Sequence, residues 1–281
     1  MSANIIVHFG SPGSRSEITP FINGIFADTF PFFAKPLAFL ASMRARKKYE
    51  HTGFVGEKKI GEFVKKLGDN YFLAAQHGRP SIDEVLEKIE SAGHDDLKII
   101  PLFPHAGPEM FGSLVEKFCK LKRRYYRGMK FKWAGPFFDN PLFIEAWADA
   151  IKNALAGFQN GPHIIFSAHA VPNDDADYRA QVEQSADSIV KSMNIRNTWS
   201  VAYQSGMRFG RWSRPSLIEE LLKGNLNCLI APISFLFDNV ETLFDIDRVA
   251  VPAAANAATR DIRRVSPPGD SEKIVKMFLE I

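Results

Sequence analysis

A chain of 281 residues with 46% hydrophobic and 24% charged side chains can bury a substantial core, and a net charge of +3 is too small to hold it unfolded. That charge also argues against a nucleic-acid partner, and the one dense basic run, Lys120 to Lys132, reads as a solvated face. Cys119 and Cys228 form no Cys-x-x-Cys pair, which excludes a cysteine-held zinc ribbon or Fe–S cluster, and no apolar stretch reaches the length of a membrane span.

In chain order, short β-branched or aromatic runs predict strands over Asn4–Phe9, Tyr71–Ala75, Leu97–Phe103, Phe131–Ala134, His163–Ser167, Trp199–Tyr203 and Cys228–Ile233. They are continuously apolar rather than alternating, as strands covered on both faces are. Helical patterns fall between them, over Ser81–Ala92, Glu109–Tyr126, Leu142–Phe158, Asp175–Met193, Pro215–Gly224 and Glu272–Leu279. Ser81 with Glu84 has the spacing of a capping box, and Pro141 and Pro215 fit the first turn of a helix. Strand, helix, strand repeated in this way is the grammar of a parallel sheet with right-handed crossovers.

The pattern runs through twice. It predicts an α/β protein of two Rossmann-like lobes, residues 1–140 and 141–281, with a ligand cleft at the carboxyl ends of the strands. Met1 to Asn4 read as running straight into the first strand, so no leader segment is expected, and both cysteines read as reduced core thiols of a cytoplasmic protein.

Chemistry should gather where the strands end, and four of the seven histidines stand there: His8, His77, His105 and His169. In Ser167-Ala168-His169-Ala170-Val171-Pro172 a strand terminates at an imidazole and a proline stops the ladder, placing a titratable base and metal ligand at a strand tip. In Asp238-Asn239-Val240-Glu241-Thr242-Leu243-Phe244-Asp245-Ile246-Asp247, a helix would stack Asp238, Glu241 and Asp245 on one face, with Asp238 also a good N-cap. Facing each other, an imidazole and stacked carboxylates suit ferrous iron better than calcium, and two or three ligands with open positions suit a metal that must be released.

Trp212, following Tyr203-Gln204-Ser205, could stack on a flat aromatic ligand or serve as a lid. Phe21 to Leu40 is Phe-rich and precedes the basic run Arg44 to Lys48. It reads equally as a helix over the cleft and as a lip resting on an anionic membrane. The Gly10-Ser11-Pro12-Gly13 loop lacks the lysine and spacing of a P-loop, so nucleotide binding is discounted.

Taken together these segments resemble the ferrochelatase family. Its strand, Gly-Ser/Thr-Pro turn and long apolar lip resemble Ile5 to Leu40. Its Ser-x-His-x-x-Pro motif is similar to Ser167–Pro172, its Tyr/Trp-Gln-Ser motif with a following Trp to Tyr203–Ser205 and Trp212, and its acidic Glu-Thr-Leu helix to Asp238–Asp247. The resemblance implies two Rossmann-like lobes with a porphyrin cleft between them. It implies a lyase that inserts Fe²⁺ into a porphyrin, protoporphyrin IX first among candidates, with release of two protons. His169 and Glu241 would then be catalytic, and His169, Glu241 and Asp245 would handle the metal. Ser11, Pro12, Phe30, Phe32, His105, Tyr203, Gln204, Ser205 and Trp212 would touch the porphyrin.

Iron would be substrate rather than resident cofactor, with no Fe–S cluster. The partners implied are the porphyrin and a peripheral contact with the inner membrane surface, for a cytoplasmic monomer or homodimer.

There are departures from the family pattern. His51-Thr52-Gly53-Phe54-Val55-Gly56 replaces the family's Gly-Gly-Ser-Pro turn, Gly13 stands where some members carry Tyr, and Val249 replaces a further carboxylate beyond Asp245, removing an outer metal site. The competing readings are a chelatase for another tetrapyrrole, coproporphyrin or sirohydrochlorin, and a non-catalytic haem or porphyrin carrier.

Overall fold

A computed structural model describes residues 2–29, 34–54, 57–107, 111–124, 126, 128–206, 210–224, 226–255 and 260–281. The chain divides into two compact units: Met1–Phe103 with Pro108–Pro136, and Pro104–Gly107 with Phe137–Ile281. Each contains a four-stranded parallel sheet flanked by helices, as the strand–helix alternation predicts.

In the first unit the order is β2-β1-β3-β4, from β1 (Ser2–His8), β2 (Tyr71–Ala75), β3 (Asp96–Pro101) and β4 (Lys130–Trp133). In the second it is β6-β5-β7-β8, from β5 (His163–His169), β6 (Trp199–Gln204), β7 (Cys228–Ala231) and β8 (Ile262–Arg264). Strands β1 and β5 are paired on both sides: Ile5, Ile6 and Val7 are buried in one sheet, and Ile164, Ile165 and Phe166 in the other. Covering both faces removes apolar side chains from water at about 1.5–3 kcal/mol for each large one.

The helices of the first unit are α1 (Ile18–Thr29), α2 (Ala34–Thr52), α3 (Glu57–Leu67), α4 (Ile82–Ser91) and α5 (Ser113–Arg124). Those of the second are α6 (Pro141–Leu155), α7 (Ala176–Met193), α8 (Leu217–Leu222), α9 (Val251–Ala255), α10 (Glu272–Glu280) and a π-helix over Glu241–Ala250. The apolar lip expected over 21–40 falls in α1 and the start of α2, while Phe30 and Phe32 lie outside the described residues. On α2, Phe39, Leu40 and Met43 are exposed.

Ser81 and Glu84 form the expected capping box on α4, with Ser81 N–H donating to Glu84 at 2.8 Å. Pro141 occupies the first turn of α6. Pro215 does not begin a helix: Ser216 is the N-cap of α8 and forms a second capping box with Glu219, leaving the proline outside. Cys119 is not a core thiol. The helical period turns Phe118 inward and leaves Cys119 exposed, whereas Cys228 is buried in β7.

The two units repeat one local device. After β2 the chain reads Gln76-His77-Gly78-Arg79-Pro80-Ser81, and after β6 it reads Gln204-Ser205-Gly206, seven further residues, then Arg214-Pro215-Ser216. In both, the N–H of a strand residue returns to the proline carbonyl: Ala75 to Pro80 at 2.8 Å and Tyr203 to Pro215 at 2.9 Å. The strand registers, His8 opposite Ala75 and His169 opposite Gln204, make Phe9 the counterpart of His169 and His77 the counterpart of Ser205. The first unit thus carries an aromatic cluster, Phe9 edge-on to His77 at 5.0 Å, where the second carries an imidazole and a hydroxyl. Gly10 is required beside that cluster: its φ is +103°, and a Cβ there would lie 1.6 Å from the His77 carbonyl oxygen.

Candidate active site

His169 is the last residue of β5, and its backbone is held from two sides. Its N–H donates to Ser234 Oγ at 3.1 Å, and its carbonyl accepts from Tyr178 Oη, on α7, at 3.0 Å. Tyr178 is fully buried, and burial pushes its phenol far above the ordinary range, so the group stays a donor. With the backbone fixed, the imidazole Nδ1 meets Glu241 Oε2 at 2.9 Å, the two side chains being 30% and 22% exposed. A carboxylate on Nδ1–H places the imidazole lone pair on Nε2, the arrangement that makes that nitrogen a base or metal ligand.

Glu241 opens a π-helix rather than the α-helix expected. Both helix types keep residues four apart on neighbouring positions, so the sequence spacing is silent on which forms. Asp238 does not cap it. Asn239 Oδ1 accepts from the N–H groups of Glu241 at 2.8 Å and Thr242 at 3.3 Å, and its own N–H donates to Thr242 Oγ1 at 3.0 Å. Nor does Asp238 join the acidic face, because Arg264 Nη1 takes its Oδ1 at 2.8 Å. Glu241 and Asp245 remain as the carboxylates turned to the strand tips. Asp245 Oδ2 accepts from Ser205 Oγ at 2.8 Å, just beyond the end of β6. Ser205 holds φ +62°, a left-handed conformation costing a non-glycine residue roughly 1–2 kcal/mol. One helix therefore presents two carboxylates to two adjacent strand tips, one at His169 and one at Ser205.

The other expected contacts disperse. Gln204 is buried and accepts a hydrogen bond from Ser167 Oγ, tying the tips of β5 and β6 together. Tyr203, next along β6, points to the opposite face. It is buried beside Arg179 of α7, lines a 540 Å³ surface pocket with Glu183, Trp199 and Arg214, and has its phenol pushed up to about 12, chiefly by burial. Trp212 lies in the seven-residue segment the first unit lacks, bridged to Pro172 just past His169 and packed on Gly206. Ser11 hydrogen-bonds the Glu57 carboxylate, and Pro12 is buried, both in the first unit.

His105 is not on an open crest. It is 1% exposed, packed against Phe138, Phe143 and Tyr178, with Nε2 on Ser185 Oγ at 3.0 Å. Ser185 Oγ donates onward to the Phe138 carbonyl at 2.7 Å, so the imidazole is the donor to Ser185 and its role is packing. Sequence reasoning missed Tyr178 and Ser234, which hold the His169 backbone, Asn239, which caps the helix within the acidic segment itself, and Arg264, which reaches Asp238 from β8. The shared Arg-Pro-Ser-x-x-Glu element was the signal that could have aligned the two units and marked Trp212 as inserted.

Burial holds His105 neutral down to about 3 and His8 to about 4, against an ordinary 6.5. Below pH 6.5 the unfolded chain takes up protons that these folded side chains refuse, so their contribution is intact above 6.5 and lost as pH falls. The loss is about 1.4 kcal/mol per pH unit for each histidine. Urea unfolding at pH 7 and pH 5 should show the drop, and His105→Asn should flatten the slope. A slope unchanged in that variant contradicts the assignment.

Among the described residues no group of three or more His, Cys, Asp and Glu side chains is arranged to hold a metal ion, and no helix is long and apolar enough to cross a membrane. Comparison with known proteins matches the ferrochelatase family model over residues 2–281. A ferrochelatase of Aquifex aeolicus is 29% identical over 268 residues, covering 87% of this chain and 86% of the relative. One of Wolbachia sp. subsp. Drosophila simulans is 31% identical over 278 residues, covering 87% and 88%. Among solved structures, SirB from Bacillus subtilis with Fe³⁺ shares the fold with a TM-score of 0.65 at 13% identity, over 99% of this chain and 93% of that one.

Proposed function

Since this chain belongs to the ferrochelatase family, a family of metal chelatases of the lyase class, we propose that it inserts Fe²⁺ into protoporphyrin IX at the tip of β5, with His169 and Glu241 as the reacting pair. The observation that carries the reading is the 2.9 Å contact between His169 Nδ1 and Glu241 on a backbone braced by Ser234 and Tyr178.

Metalation exchanges two pyrrole N–H protons for one Fe²⁺, so the site must accept protons while a partly dehydrated metal enters. His169 Nε2 takes the first proton, and the Glu241 carboxylate stabilises the imidazolium that results. Glu241 and Asp245 pass protons outward or lend oxygen to the metal, with Ser205 orienting Asp245. Two or three protein ligands, from His169, Glu241 and Asp245, leave most of the coordination sphere to water and to the macrocycle, which suits a metal that must be handed over. Trp212, bridged to Pro172 just past His169, lies against a ring bent away from planarity, at roughly 1–5 kcal/mol of strain. Porphyrin contacts at Ser11, Pro12, Phe30 and Phe32 belong to the same reading.

The test is fluorescence-quench detection of Fe²⁺ or Zn²⁺ insertion with protoporphyrin IX, coproporphyrin and sirohydrochlorin offered in parallel. Turnover fastest with protoporphyrin IX supports the reading. Turnover confined to sirohydrochlorin replaces the substrate, and tight porphyrin binding without turnover makes the protein a carrier.

Membrane contact belongs to the same proposal. Exposed Phe39, Leu40 and Met43 lie beside Arg44, Arg46, Lys47 and Lys48 on α2, an apolar surface flanked by positive charge. Vesicles rich in phosphatidylserine should sediment the protein, and Phe39→Ser/Leu40→Ser should release it. Equal binding by wild type and variant contradicts the α2 assignment.

A further inference from the structure

The segment from Asp238 to Asp247 carries four carboxylates within ten residues. Two of them are consumed by one side chain. Arg264, on the edge strand β8, donates through Nε to Asp247 Oδ1 at 2.8 Å and through Nη2 to Asp247 Oδ2 at 2.9 Å. Its Nη1 reaches Asp238 Oδ1 at 2.8 Å and the Val265 carbonyl at 3.1 Å. Only 9% of this side chain is exposed. Asp238 in turn accepts at 3.0 Å from the hydroxyl of Thr242, the buried second residue of the π-helix.

We propose that Arg264 is a positioning residue for metal insertion. By bracketing the π-helix at Asp238 before it and Asp247 within it, the guanidinium fixes the rotation at which Glu241 meets His169 and Asp245 meets Ser205. A π-helix is a rare geometry that persists where surrounding contacts over-determine it, and here the over-determination comes from one planar fork engaging two carboxylates. The same fork withdraws Asp238 and Asp247 from the metal path. Lysine keeps the charge and cannot reproduce the fork, so the substitution separates geometry from charge.

This inference rests on the reading of His169 and Glu241 as the reacting pair, and its test keeps the two apart. Steady-state insertion of Zn²⁺ into protoporphyrin IX is measured for wild type, Arg264→Lys, Asp247→Asn and the double variant, varying metal and porphyrin separately, with thermal melting alongside. Arg264→Lys is expected to lower kcat about tenfold or more with porphyrin KM changed less than about twofold, the split of an interaction that matters in the transition state. Asp247→Asn should lose less in the same direction. The double variant should be no worse than Arg264→Lys, because the two residues form one contact. A folded Arg264→Lys with wild-type kcat overturns the proposal, as does strict additivity in the double variant. If Arg264→Lys fails to fold, Asp247→Asn decides: unchanged kcat overturns it. A wild type that inserts no metal refutes the underlying reading and the clamp with it, whereas an active wild type with indifferent variants refutes the clamp alone.

Discussion

His169→Ala is expected to abolish metal insertion, lowering kcat by about 10³-fold or more, since a positioned general base contributes about 10²–10⁴ and this imidazole is also a proposed ligand to the incoming metal. The fold should survive. The backbone of residue 169 is held by Ser234 and Tyr178 through its N–H and carbonyl, and neither bond involves the imidazole. The side chain is 30% exposed, so truncation leaves no sealed cavity. Melting temperature and porphyrin affinity should therefore stay near wild type while turnover vanishes. Near wild-type turnover by the variant would remove His169 from the mechanism.

Glu241→Gln should be nearly as damaging, with kcat lowered about 10²–10³-fold and porphyrin binding retained, because the interaction lost is one that strengthens as the imidazolium forms. Glutamine keeps the shape and can still accept from His169 Nδ1–H, so the orientation of the imidazole is preserved. The negative charge that would stabilise a protonated His169 is gone. The N-terminal capping of the helix by Asn239 is untouched, which isolates the chemical effect from the structural one. Transient kinetics should show porphyrin bound at the normal rate followed by stalled metalation. If the variant kept its rate, Glu241 would serve only to hold the helix, and the carboxylate at Asp245 would become the leading candidate for the acidic role.

The part of this architecture legible in the sequence is the part encoded locally. Continuous apolar runs such as Ile164–Ile165–Phe166 announce buried parallel strands, and Ser81 with Glu84 announces a helix start, because each depends on neighbours a few residues away. His169 was legible because Pro172 ends the strand behind it, and Glu241 with Asp245 because a four-residue spacing shares a face in either helix type.

What was hidden depends on distant partners. Nothing around Arg264 tells that it will meet Asp238 and Asp247, and β8 is three residues long, too short and polar to show a pattern. Asp238 read as a cap because aspartate commonly is one. Pairing with Arg264 diverted it, and Asn239, one residue on, took the cap. His105 shared the strand-end position of His169, and only the packing of α7 over it, through Ser185 and Tyr178, separates a core imidazole from a reactive one. Tyr203 and Gln204 were grouped as contacts of one ligand, yet adjacent strand residues face opposite ways. Gln204 ties the strand tips, and Tyr203 lies against α7.

The most direct test is a crystal structure of the protein with protoporphyrin IX bound. The expected result places the macrocycle centre over His169 Nε2, within hydrogen-bonding reach of the pyrrole nitrogens, with Glu241 still on Nδ1 and Trp212 against the ring. Porphyrin seated away from the β5 tip, for example in the pocket beside Tyr203 and Arg179, with His169 and Glu241 touching only each other, would contradict the assignment of that pair as the chelating centre.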